Sequence, residues 1–385
     1  MSVLIVGGGV IGCAIAYYLA KAGAAATLLE RGEIGGQASG AAAGMLVPAL
    51  EEASSESFRD LYLASLQLYP SLVEALREET GIDVQYTPSG LLLVARTEDR
   101  AESLRGFLRT RGSSGDDFEW VERDVLRRLE HTLTDRVLGA AYSPEGRHVN
   151  PGLLTQALAR AALARGVALR QGAAVTTFLR RGSRVLGVRT SGGDMIAADR
   201  IVLAAGPWTR ALGRRLGVDI PTRPMRGQML AYRSTAVRHI IWGEDGYLVP
   251  KAGGFLFAGA TVEDAGFRPW ITRRGLASLR RMAVGLVPAL RYAGVASTWA
   301  GLRPGSPDGH PIIGLLSDME NVYVATGHFR NGVLLAPVTG KLVAQLITEG
   351  KTEMPLEPFG VQRFGALNYA PAVGERGSGP AAMGR

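Results

Sequence analysis

"VLIVGGGVIGCAIAYYLAKAG", residues 3–23, decides how the rest of the chain is read. Val3 to Val6 form an apolar run that ends on a glycine cluster, the pattern of a buried strand entering a tight turn. Ile11, Ile15 and Leu19 then recur at i, i+4, i+8 on one helical face, and Gly23 supplies the stop. "AATLLE", residues 25–30, is a second buried strand ending at Glu30. Strand, turn, helix and strand together take about 30 residues, the size of a βαβ crossover. Gly7, Gly9 and Gly12 fit G-x-G-x-x-G inside that unit. The spacing has a physical meaning there. Gly7 makes the turn, Gly9 lets backbone approach a pyrophosphate, and Gly12 lets helix and strand pack closely. Glu30 stands 18 residues beyond Gly12. An acid in that place accepts hydrogen bonds from ribose hydroxyls and repels a 2′-phosphate. A bare glycine turn with a surface glutamate is the competing reading, and it leaves the surrounding strand–helix–strand context unused.

The dinucleotide could be NAD or FAD, and the downstream chain separates them. A nicotinamide-binding domain continues in regular βα units. Here "GGQASGAAAGML", residues 35–46, follows instead, a run of small residues suited to backbone contact with a large flat ring system. Residues 54–80 read as a helix with Ser54 and Ser55 as candidate caps and Phe58, Tyr62, Leu66, Tyr69, Val73 and Leu76 at helical spacing. "GLLLVA" (90–95) reads as a strand and "GSSGDD" (112–117) as a loop. Asn150-Pro151 starts a helix that Gly166 closes. Strand-like pieces follow at 167–171, 185–190 and 201–205, then "RGQMLAY", "GYLVPKA" and "GFLFAGAT" within 226–261. "RRGLASLRRMAVGLV" (273–287) is an amphipathic helix. "DRIVLAAGPW" (199–208) is a buried strand ending in Ala-Gly at Gly206, and "VYVATGHFRNG" (322–332) runs a strand through a glycine turn into a last helix. The N-terminus of that helix could face the electron-rich edge of a reduced flavin. FAD is the better reading.

Composition bounds the rest. At 385 residues, with 46% hydrophobic and 20% charged residues, the chain has room for two domains with sizeable cores. No apolar run reaches the length of a membrane span, and the apolar N-terminus is expected to be a strand and not a signal peptide. The net charge of +8 comes from 39 Arg and 4 Lys scattered as singles and doublets. Without a basic run or interleaved aromatics it argues an arginine-rich surface and no nucleic-acid partner. Cys13 is the single cysteine, so an intramolecular disulfide and a cysteine zinc cluster are excluded, and a reducing cytoplasm fits. The five histidines share no ligand spacing, and no metal is expected.

Six stretches carry a resemblance: "GGGVIGCAIAYYLAK", "GGQASGAAAGML", "YLVPK", "GATVEDAGF", "WAGLRPGSPDGHPIIG" and "GHFRNGVLLAPVTG". With them the chain resembles the D-amino-acid-oxidase-like superfamily of FAD enzymes, and within it the glycine oxidases of bacterial thiazole biosynthesis. The resemblance spans residues 3 to about 347. It implies an α/β fold: a Rossmann-like FAD-binding domain with an inserted substrate domain of antiparallel β-sheet plus helices. The FAD domain is expected at 1–84, 149–222 and 300–362, the substrate domain at 85–148 and 223–299, and a disordered tail at 363–385.

The same resemblance implies cofactor contacts. They fall on Val10 and Ile11 in the phosphate turn, Glu30 and Arg31 at the ribose, and Ala38 and Ser39 beside the pyrophosphate. Ala43, Gly44 and Met45 fall against the isoalloxazine, Val175 on the adenine side, and Gly206 in the second nucleotide-side motif. His328, Phe329, Arg330, Asn331, Gly332, Val333 and Leu334 form the segment that closes over the flavin. Arg303 and Tyr247 would hold the substrate carboxylate, with Arg330 as a second pocket arginine. Met45 and Val262 would line the substrate pocket. Where glycine oxidases tend to carry Met, this chain has Val262, which leaves the ranking of glycine, sarcosine and small D-amino acids open. FAD is expected to be non-covalent, and Cys13 to be a packed small residue.

The implied reaction is oxidation of an α-amino acid by hydride transfer to flavin N5. It yields an imine, then an α-keto acid such as glyoxylate with ammonia or amine, and hydrogen peroxide from molecular oxygen. The alternatives are a D-amino-acid oxidase, an amine dehydrogenase passing electrons to a carrier, or, more remotely, a tRNA-acting flavoprotein. The resemblance implies a homotetramer, and the expected location is the cytoplasm.

Overall fold

The computed structural model describes residues 1–47, 55–111 and 118–365. Ser54, the 112–117 loop and the tail beyond residue 365 lie outside these. Ser2–Val6 is a central strand of a six-stranded sheet, flanked in parallel by Ala25–Leu29 and Arg200–Leu203. Ala168–Arg170 and Val322–Thr326 extend it in parallel, and Ile312–Leu315 closes one edge antiparallel. Side chains of the first strand alternate between two cores. Val3 and Ile5 join one, Leu4 and Val6 the other, which is why this strand reads as a continuous apolar run.

The helices Val10–Lys21, Glu56–Thr80, Pro151–Ala164 and Gly332–Thr348 cover one face. A three-stranded antiparallel sheet, Val175–Arg181, Arg184–Thr190 and Met195–Ala197, covers the other. Ser55 and Asn150 cap their helices as expected, accepting from Phe58 N and Leu153 N.

A second sheet has eight strands in the order Val295–Gly305, Arg223–Arg233, Phe255–Gly259, Gly246–Lys251, Ile240–Gly243, Leu91–Ala95, Gly139–Ser143, Glu119–Glu122. All its pairs are antiparallel except Ile240–Gly243 with Leu91–Ala95. The helix Arg273–Leu286 packs beneath it through Leu279, Met282, Ala283 and Leu286. Register aligns Tyr247 with Gly259, Gly259 with Met229, and Met229 with Trp299, one row across four strands.

Several strands escape the sequence pattern. Val295–Gly305 holds Gly301 and Pro304, which read as breakers, but it lies on the sheet edge, where proline costs no ladder bond. It also runs through residue 300, where a domain boundary is expected. Val175–Arg181 ends on the exposed Arg180 and Arg181, which hides the alternation, whereas its partner Arg184–Thr190 matches the strand expected at 185–190. Arg363, expected in the tail, instead sits in the short 3-10 turn Val361–Phe364 and reaches Asp308 at 2.7 Å.

Candidate active site

Two glycines shape the mouth of the first helix. Gly7 has φ +118°, and a Cβ there would lie 2.4 Å from the Ala204 carbonyl oxygen. A Cβ on Gly12 would lie 1.9 Å from the Gly7 oxygen, so this glycine serves packing and does not face the cavity. Gly7, Gly9, Val10 and Ile11 do line it, a cavity of about 730 Å³ that extends to the eight-stranded sheet. Gly9 has no capping side chain. The Ser39 hydroxyl takes that place by accepting from Val10 N at 2.9 Å.

Glu30 ends its strand in the cavity wall. Its carboxylate accepts from Gly8 N at 2.7 Å and Gly32 N at 2.9 Å. Arg31 stacks over Trp208, 3.7 Å from the ring centroid. Ala38, Ser39, Ala43, Gly44, Met45, Val175 and Gly206 all line the same space. So does every residue from His328 to Leu334. Arg215 secures the Val175 side by donating to the Val175 carbonyl at 2.8 Å.

The small-residue run has a reason that only the fold displays. A Cβ on Gly301 would sit 2.6 Å from Ala41 Cβ, and the Trp299 indole donates to the Ala41 carbonyl at 3.0 Å. The short helix Ala38–Ala41 is thus pressed onto the edge strand of the eight-stranded sheet, which carries Arg303 two residues beyond Gly301.

Tyr247, Arg303, Arg330, Met45 and Val262 share the sheet end of the cavity. The Arg303 guanidinium folds over Gly227, where a Cβ would meet its Nη1 at 2.2 Å, and Nη1 donates to the Thr261 carbonyl at 3.0 Å. Burial, with Arg330 nearby, lowers the Arg303 pKa, but a guanidinium stays charged. Burial raises the Tyr247 pKa, offset by Arg303 and Arg330, so the phenol keeps its proton. Its hydroxyl points to Met229 Sδ at 3.4 Å. Arg330 lies 5.2 Å from the Phe329 ring centroid. Phe329 has φ +47° and is held there by donating to the Pro304 carbonyl at 2.9 Å. Among the described residues neither Arg303 nor Arg330 pairs with a carboxylate. Two cations that no carboxylate of the described residues pairs with offer an anion a place to bind.

Sequence reasoning missed Gly227, Met229, Trp208, Trp242, Glu244 and Arg100, all lining the cavity. Trp242 sits on the short strand Ile240–Gly243 and Arg100 on the helix Glu98–Arg111, and neither element has a strong apolar period. A buried pair behind the wall was also missed. Lys251 Nζ donates to the Val149 carbonyl at 2.7 Å and lies 3.5 Å from His148 Nδ1. Burial lowers Lys251 to about 7, and burial beside Lys251 lowers His148 to about 3.

The family profile described as FAD dependent oxidoreductase matches residues 2–346. The chain belongs to that family of flavoenzymes. It is 37% identical to the glycine oxidase of Geobacillus kaustophilus over 366 residues, 94% of this chain and 96% of that protein. The solved glycine oxidase structure from Geobacillus kaustophilus superposes with a TM-score of 0.90 at 35% identity, covering 94% of this chain and 98% of that one. A bifunctional ThiO/ThiG protein of Trichormus variabilis is 36% identical over 94% of this chain, which spans 55% of its length. The wall fits an FAD. Glycine backbone would hold the pyrophosphate end and the small residues the ring, and the buried His328 Nδ1 lacks a partner among the described residues. The flavoenzyme shows no group of three or more metal-ligating side chains among those residues.

Proposed function

We propose that this flavoenzyme oxidises glycine, with sarcosine and small D-amino acids as further substrates. Glycine yields glyoxylate, ammonia and hydrogen peroxide, and the role is in assembling the thiazole of thiamine. One observation carries the reading: Tyr247 and Arg303, which no carboxylate of the described residues pairs with, line the same cavity as the glycine turn. The relatives named glycine oxidase and ThiO/ThiG support the choice of substrate and the thiazole role.

FAD, when bound, supplies the hydride acceptor and passes electrons to oxygen. The chain supplies position and charge. Arg303 presents two parallel N–H donors to the carboxylate, and the Tyr247 hydroxyl donates to one of its oxygens. Arg330 adds a second positive charge, which favours the carboxylate and disfavours a protonated amine beside it. A neutral amine needs no general base, consistent with a wall in which the acids near the substrate are already engaged. Water then hydrolyses the imine to the keto acid.

The domain division at 1–84, 149–222 and 300–362 against 85–148 and 223–299 belongs to this proposal. So do a cytoplasmic location and a homotetramer. No helix among the described residues is long and apolar enough to cross a membrane. Val262 is 42% exposed, which favours room for a Cα or N-substituent and keeps a D-amino-acid oxidase as the second reading. Peroxide release and anaerobic bleaching with glycine, sarcosine and D-alanine, run side by side, test both. Bleaching by none of the three would overturn the proposal, and peroxide-free bleaching would make it a dehydrogenase.

A further inference from the structure

A cluster of polar side chains lies behind Arg303. Gly227 and Met229 line the cavity, so the alternation of their strand turns Arg226 and Gln228 to the other face, where both are buried. Glu263 meets them there. Arg226 N donates to the Glu263 carbonyl and Glu263 N to the Arg226 carbonyl, each at 2.9 Å, as an isolated antiparallel bridge. The Glu263 carboxylate then accepts from three side chains. Gln228 Nε2, at 2.6 Å, and the Thr261 hydroxyl share Oε1, and Arg226 Nη2 takes Oε2. Gln228 is fixed in turn by Thr272 N, which donates to its Oε1 at 2.6 Å.

These bonds converge on Thr261, just past the strand Phe255–Gly259. Its hydroxyl donates to Glu263 and accepts from Gln228 N at 2.9 Å, and its N donates to the Gln228 carbonyl at 3.3 Å. With amide and hydroxyl so occupied, the Thr261 carbonyl is left to accept from Arg303 Nη1 at 3.0 Å. Charge follows the same division. Burial pushes the Glu263 carboxyl up, but the hydrogen bonds from Thr261, Arg226 and Gln228 outweigh it and hold the group below its usual range. Its negative charge is paired with Arg226, which leaves the charge of Arg303 for a ligand.

We propose that Glu263 is a positioning residue for the carboxylate site: it fixes Thr261, whose carbonyl orients the Arg303 guanidinium. The inference rests on the function proposed above. A carboxylate suits the role because it accepts on both oxygens, whereas an amide of the same shape must turn a donor toward either Arg226 or Gln228. Glu263→Gln therefore keeps the volume and loses the clamp.

The test uses the FAD-loaded enzyme and two readouts. One is KM and kcat for glycine, and the other is the dissociation constant of acetate, read from the change it makes in the flavin spectrum. In Glu263→Gln both KM and the acetate constant should rise about tenfold, and by no less than about threefold, while kcat stays near that of wild type, the pattern of lost carboxylate binding. A merely structural role would lower the melting temperature or the active fraction, and hence kcat, and leave both constants alone. Because Glu263 acts through Arg303, adding Glu263→Gln to Arg303→Ala should raise either constant by less than about twofold more. Should Glu263→Gln fail to fold, Thr261→Val removes the hydroxyl, keeps the carboxylate, and should raise both constants by the same minimum. A smaller rise in the folded variant, or a larger further rise on top of Arg303→Ala, overturns the role of Glu263. Unchanged constants in Arg303→Ala itself overturn the proposed carboxylate site, and the role of Glu263 falls with it.

Discussion

Arg303 can lie flat across the sheet because residue 227 has no side chain. In the proposed carboxylate site, removing its fork would leave only the Tyr247 phenol and Arg330 to hold the substrate. A charge-assisted hydrogen bond is worth about 1.5–3 kcal/mol. Arg303→Ala should therefore raise KM roughly ten- to a hundredfold while the protein keeps its flavin spectrum. An unchanged KM for glycine removes Arg303 from the carboxylate site.

Lys251 and His148 act on stability. Lys251 titrates near 7 when folded, against an ordinary 10.5, so between those values the unfolded chain holds the extra proton. Stability then rises with pH across that window. His148, near 3 against an ordinary 6.5, acts in the same direction lower down, so stability falls as pH drops below 6.5. Melting temperatures at pH 5, 7 and 9 should climb in that order from these two groups, and Lys251→Met should flatten the upper step. A flat profile in the parent protein would show that both groups keep their ordinary values.

Among elements, the closing helix Gly332–Thr348 contains Pro337. Proline has no N–H for the carbonyl four residues back, Val333, and buried carbonyls need partners. Tyr69, fully buried in the helix Glu56–Thr80, donates its hydroxyl to that carbonyl at 2.5 Å, and Ser65 donates to the next one, Leu334, at 2.6 Å. The pair fixes the helix whose N-terminal residues line the cavity. Tyr69→Phe keeps the ring and orphans the carbonyl, a loss of about 1–3 kcal/mol. Denaturant unfolding should show that loss, and a midpoint unchanged from wild type would mean water satisfies Val333. Tyr69 was legible in the sequence only as one more apolar position of helical spacing, because its partner lies 264 residues away.

For the molecule as a whole, the cavity joins the ends of two sheets and is lined from residue 6 to residue 334. A ligand that binds only the folded form stabilises it by about 2.7 kcal/mol at a hundred times its dissociation constant. Deflavinated protein should accordingly melt several degrees higher on adding FAD, and far less on adding NAD. Equal effects of both would count against FAD as the resident cofactor.

By itself the sequence determined the nucleotide end. The glycine turn, the helix behind it and Glu30 are set by contacts within about 30 residues, where spacing and backbone sterics leave one reading. The return of the last strand and helix was legible too, through "GHFRNG" and the resemblance that it carries. Only the tertiary structure decided what stands opposite. Gly227 beneath Arg303, Gly301 against Ala41 and Trp242 beside Tyr247 are meetings between distant strands and helices. No local period records such a meeting, since a residue chosen to fit a neighbour hundreds of positions away obeys that neighbour's shape and charge and not the rhythm of its own segment.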